Sequence, residues 1–194
     1  MVPICPILLG MRDAGMLLGM KTTLWATLTA NGNYQRNDPQ HPPRPEALAD
    51  FAAHVRANGN FIVGRTTFEG FSAQQAASGG SARPADSGGV GNATIVVVGS
   101  KGPPGVATAR NPKEALALLR DRGFSTAFVA GGAKLHNAFL AEDLVDELVF
   151  NIAPGLEDEG LKLVLPKGQF RTVTLIESKS LGGGVVQLRY DVRG

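Results

Sequence analysis

The sequence has little of what would force a special chemistry on it. Cys5 is its only cysteine, which excludes an internal disulfide and fits a reducing, cytoplasmic setting. The net charge is only +2 and no basic run is present, so nucleic acid is not expected as a partner. The three histidines, His41, His54 and His136, lack metal-ligand spacing; no metal is expected, and each reads as an ordinary surface or partly buried side chain. Long uncharged runs are missing too. The apolar N-terminal stretch is interrupted by Arg12 and Asp13, so it is not expected to span a membrane, and its charge order is not that of a signal peptide. Residues 1–20 are therefore expected to be an N-terminal extension, with Met20-Lys21 a natural start. Residues 21–194 then form a single domain with a real core.

Strand and helix patterns alternate along that domain. Lys21 to Thr29 is rich in threonine and aliphatic residues, which predicts a strand. Pro45 to Ala57 predicts a helix, with Leu48, Phe51, Ala52 and Val55 sharing one face. Phe61 to Val63, Thr94 to Val98 and Thr126 to Ala130 read as buried strands. Helices are predicted over Thr66 to Gln75, Pro112 to Arg122 and Lys134 to Glu142, and Ser78 to Gly91 reads as a glycine-rich loop. Val145 to Ile152 is a further strand. Thr172 to Ser180 and Val185 to Val192 are joined by so short a connection that they pair antiparallel. The expected fold is a three-layer α/β/α domain, its central sheet mostly parallel with antiparallel C-terminal strands.

Chemistry concentrates at glycine-bearing corners. Gly131-Gly132, followed by Ala133, Lys134 and Leu135, stands between a strand and a helix. Such a corner brings phosphates close to bare N–H groups, or simply lets the helix pack against the strand. Gly64-Arg65-Thr66-Thr67 is a second corner, where Arg65 has the fork to pair with a phosphate monoester, or Thr66 merely caps the helix. Gly99-Ser100-Lys101 is a third, either an ordinary turn or the completion of that phosphate pocket. Two other motifs fail. Gly89-Val90-Gly91 precedes a strand instead of following one, and Gly70-Phe71-Ser72-Ala73 lacks the second glycine of a nucleophile elbow. Glu46, Asp50 and His54 share one helical stripe, either a solvated face or acids beside a substrate. Trp25, the only tryptophan, is either core or the wall of a site for a planar ring.

The order of these pieces resembles the dihydrofolate-reductase-like superfamily, and more closely the RibD C-terminal family, the reductase domain of bacterial riboflavin biosynthesis. Leu28-Thr29-Ala30-Asn31-Gly32 stands for that family's M-S-x-D-G, Gly64-Arg65-Thr66-Thr67 for its G-R-x-T, and Gly131-Gly132-Ala133-Lys134-Leu135 for its G-G-x-x-L. Leu144-Val145-Asp146-Glu147-Leu148 followed by Ile152-Ala153-Pro154 is the most specific match. There are also departures. Asn31 replaces an aspartate, Phe68-Glu69-Gly70-Phe71 stands where a D-D-P-x-L segment helps hold the family's phosphoribosyl substrate, and Glu157-Asp158-Glu159-Gly160 replaces a glycine-rich turn.

The resemblance implies an NADPH-dependent reductase acting on a C=N carbon of a small heterocycle, the ribosylaminopyrimidine of riboflavin biosynthesis first. A dihydrofolate, pterin or other imine substrate is the alternative, and a non-catalytic nucleotide-binding protein the next. It also implies a homodimer paired through sheet edges. Gly64, Arg65, Thr66, Thr67, Ser100, Lys101, Gly131, Gly132, Ala133, Lys134 and Leu135 would bind the cofactor. Thr27, Thr29, Asn31 and Gly32 would line the substrate side, and Glu46 or Asp50 would relay a proton.

Overall fold

The computed structural model describes residues 19–38, 40–77 and 92–193. Most of the expected N-terminal extension and the whole Ser78 to Gly91 loop, with its Gly89-Val90-Gly91 motif, lie outside these residues. Eight strands form one sheet in the order β4-β3-β2-β5-β1-β6-β8-β7. They are β1 (Lys21–Thr29), β2 (Asn60–Gly64), β3 (Thr94–Val98), β4 (Ala107–Ala109), β5 (Thr126–Gly131), β6 (Glu147–Ala153), β7 (Thr174–Gly182) and β8 (Val185–Asp191). The first six run parallel, and β8 lies antiparallel between β6 and β7. β4 has no signal in the sequence. Three residues, Ala-Thr-Ala, carry neither length nor pattern enough to announce a strand.

Helices α1 (Pro45–Asn58), α2 (Arg65–Ala77), α3 (Pro112–Asp121) and α4 (Ala133–Ala141) cover the sheet. Pro45 starts α1 where a missing N–H costs nothing, and Gly59 ends it in the left-handed region at φ 65°. At α3 the Asn111 side chain accepts from the Glu114 N–H at 2.9 Å, while the Glu114 carboxylate accepts from the Arg110 N–H at 2.9 Å.

Strand alternation sorts the core into two layers. Phe61, Val63, Val97 and Phe128 join Val55 and Phe68 on the side of α1 and α2. Ile62, Val96, Ala127 and Val129 join Leu116, Leu119, Leu135 and Phe139 on the side of α3 and α4. With β3, β2 and β5 adjacent, the three glycine corners stand side by side at the C-terminal edge of the sheet, where open α/β sheets bind ligands.

Candidate active site

The corners do more than stand side by side; they are built to touch. A Cβ on Gly64 would lie 3.7 Å from the Gly131 carbonyl oxygen and 3.9 Å from the Gly132 nitrogen. One on Gly99 would lie 3.1 Å from Cβ of Arg65, so the arginine side chain packs over the end of β3. On Gly132 it would come within 2.8 Å of the Thr67 hydroxyl. Gly131 has φ 118°, and a Cβ there would meet His136 Cε1 at 3.3 Å. The Gly131–Gly132 peptide is cis. Gly132 also begins α4 without any side-chain cap, leaving the helix's first N–H groups for other acceptors.

This corner forms part of the wall of a cavity of about 620 Å³, within the range of small-molecule sites. Trp25, Phe51, Phe61, Phe68 and Phe71 supply apolar walls, Thr27 and Thr67 hydroxyls, and Arg36 and Arg44 charge. The rings of Trp25 and Phe51 are 5.5 Å apart and tilted. Leu48, on the apolar face of α1, is 45% exposed and lines this cavity with Phe51 and Ala52. Only the C-terminal part of that helical face, at Val55, is fully buried.

The candidate residues divide into groups. Thr27, Thr67, Gly131, Gly132 and Ala133 line the cavity. Gly64, Arg65, Thr66, Ser100 and Lys101 gather at the neighbouring strand ends outside it; Arg65, Thr66, Ser100 and Lys101 are exposed, and Arg65 lies 3.6 Å from Glu69. Lys134 is exposed on α4, whereas Leu135 is buried in the core beneath Gly64. Thr29 lines an adjacent cavity of about 430 Å³ with Arg36, His41 and Arg44.

Asn31 is a clamp. Its side-chain oxygen accepts from the Thr29 hydroxyl at 2.8 Å and the Glu157 N–H at 3.2 Å, and its amide donates to the Glu157 carbonyl at 2.6 Å. Gly32 is in the exposed turn beside it at φ 82°. The acidic turn also holds Arg36, whose guanidinium lies 3.4 Å from Glu157 and 3.6 Å from Asp158.

The structure does not bring Glu46 or Asp50 into the cavity wall, and their stripe is not a solvated face. The Glu46 carboxylate packs against Gly183 in the β7–β8 turn. Asp50 accepts from Trp25 Nε1 at 2.7 Å and from Asn151 Nδ2 at 3.0 Å. Burial alone would raise its carboxyl, but hydrogen bonds from Trp25, Asn151 and Gln187, with the charge of His54, hold it below the usual range. His54 stacks on Phe128 with ring centroids 5.3 Å apart.

One pair in the cavity wall has no signal in the sequence. His136 is fully buried, not a surface or partly buried side chain, and it lines the cavity with Tyr34. The two are hydrogen-bonded, hydroxyl to Nδ1, at 2.5 Å. Burial pushes the imidazole down to about 4 and raises the phenol above its usual value. The residues are 102 positions apart, so no spacing rule could have joined them.

No curated protein matches the chain. Among solved structures, a protein ascribed to riboflavin biosynthesis from Shewanella sp. PV-4 superposes with TM-score 0.65 at 20% identity, over 89% of this chain and 98% of its own. A pyrimidine reductase-like protein from Corynebacterium diphtheriae gives 0.61 at 17%, over 91% and 94%. RibD of Acinetobacter baumannii gives 0.61 at 18%, over 88% of this chain but only 57% of its own. These likenesses show a shared fold. The model of the RibD C-terminal domain matches residues 7–187. With a match over nearly its whole length, the chain belongs to the RibD C-terminal domain family and has its dihydrofolate-reductase-like fold.

Proposed function

We propose that the protein is an NADPH-dependent reductase that transfers hydride to the C=N carbon of a small heterocyclic substrate, of the ribosylaminopyrimidine type used in riboflavin biosynthesis. The observation that carries this reading is the bare Gly131–Gly132 corner, which opens on the cavity and has no room for a Cβ. Backbone N–H groups at such a corner fit a pyrophosphate. Arg65, Ser100 and Lys101, exposed at the adjoining strand ends, suit the 2′-phosphate. When bound, the reduced nicotinamide supplies the hydride. Thr27 and the tilted Trp25–Phe51 pair then orient a planar ring, and the apolar walls keep water from it.

A homodimer and a cytoplasmic setting belong to this reading. No helix among the described residues is long and apolar enough to cross a membrane. One observation favours a pterin or another conjugated imine as substrate. Phe68 and Phe71, standing in place of the family's phosphoribosyl-holding segment, present apolar rings to the cavity.

Loss of NADPH absorbance with each substrate class separates these readings; uptake of NADPH without turnover of any of them points to a binding protein. In Arg65→Ala, NADPH is expected to bind roughly tenfold more weakly while NADH binds as before. Equal losses for both cofactors remove the 2′-phosphate from Arg65.

A further inference from the structure

The pair formed by half-buried Tyr34 and fully buried His136 has no part in the hydride transfer described above. His136 lies on the first turn of α4, its N–H donating to the Gly132 carbonyl at 3.1 Å. Its ring edge fills the space a side chain on Gly131 would need. Both ring nitrogens face protein groups. Nε2 is 3.2 Å from the Val129 carbonyl oxygen, and Nδ1 is 2.5 Å from the Tyr34 hydroxyl. A carbonyl oxygen can only accept, so Nε2 carries the proton. A ring without solvent exposure is held neutral, which leaves Nδ1 a bare lone pair. The Tyr34 proton must then point at Nδ1, and the phenol has only one. What its oxygen has left to offer a ligand is lone pairs.

The position of Tyr34 is held as firmly as its proton. Its N–H donates to the Leu161 carbonyl at 2.8 Å, and it forms an antiparallel bridge with Leu28 of β1. Tyr34 and His136 share the cavity wall with Gly131 and Gly132.

We propose that Tyr34 is a specificity-determining residue: its hydroxyl, fixed as an acceptor by His136, selects a ligand that presents an N–H group beside the Gly131–Gly132 corner. A carbonyl or carboxylate oxygen at that place meets lone pair with lone pair and is rejected. The N–H comes from one of two sources, the nicotinamide carboxamide or an amino group of the heterocyclic substrate. The proposal rests on the reductase reading and deepens it.

The lock is tested without any ligand. Nitrogen NMR of His136 is expected to show a neutral ring protonated at Nε2 from pH 6 to 8; a proton on Nδ1, or a charged ring, overturns the proposal. Ligand choice is then tested by titrations that follow the fluorescence of Trp25. The wild-type protein is expected to prefer NADPH about tenfold over its reduced 3-acetylpyridine analogue, whose methyl replaces the amide NH₂, and Tyr34→Phe to lose that preference. That result assigns the N–H to the cofactor. If the preference is the same in both proteins but Tyr34→Phe raises KM about tenfold for an amino-bearing substrate at unchanged kcat, the N–H belongs to the substrate. If neither changes, the proposal falls.

His136→Gln is the conservative variant, because its amide donates to Val129 while its oxygen accepts from Tyr34. It is expected to keep the wild-type discrimination; a folded His136→Gln that loses it counts against the lock. Failure of the wild-type protein to take up NADPH at all sinks the reductase reading instead, and leaves the NMR result standing.

Discussion

Gly131→Ala is expected to weaken NADPH binding about a hundredfold, a loss of about 2.7 kcal/mol. At φ 118° the glycine occupies a backbone region that L side chains rarely adopt, at a cost on the order of 1–3 kcal/mol. The new methyl also presses on His136 Cε1 at 3.3 Å, and that ring is fully buried and tied at both nitrogens. The corner itself must therefore move, and with it the N–H groups at the start of α4. Gly123→Ala is the control. Gly123 also has a positive φ, 84°, but a Cβ there meets nothing within 4 Å. It is expected to lose stability in thermal unfolding and to bind NADPH as the wild type does. Wild-type affinity in Gly131→Ala would remove the corner from the binding site.

The layers of the fold were open to reading because they rest on local pattern. Thr94 to Val98 is a run of branched side chains long enough to be a strand and bounded by turn residues, and β3 has those bounds. What the N-terminal half of α1 faces is not legible in the sequence. Leu48 and Phe51 have helical spacing with Val55, and periodicity cannot tell a face that packs on a core from one that lines a cavity. The glycine corners were visible as strand–turn–helix junctions, but their contacts needed the strand order, which places β5 between β2 and β1. The Asn31 clamp and the Tyr34–His136 bond were beyond reach. Each joins a loop after β1 to a segment more than 100 residues away, and a polar side chain carries no local mark of a distant partner.

Asp50 is expected to matter more for stability and shape than for proton transfer. Asp50→Ala leaves the Trp25 Nε1–H and an Asn151 amide hydrogen without their acceptor in a half-buried place. At about 1–3 kcal/mol for each orphaned donor, a loss of about 2–6 kcal/mol is expected in denaturant titration. The direction of the pH effect follows from the lowered carboxyl. A folded-state value below the unfolded one stabilises the protein above the unfolded value, about 4, and the benefit is lost as pH falls through the folded value. Wild-type stability should therefore decline on acidification below about pH 4, and in Asp50→Asn that decline should be shallower. At neutral pH the ionised Asp50 has no proton to give. Asp50→Asn is accordingly expected to keep the pH dependence of kcat, and to raise KM through a loosened Trp25, whose ring forms part of the cavity wall. An acidic limb of kcat that disappears in Asp50→Asn would return Asp50 to the proton path and overturn the positioning role.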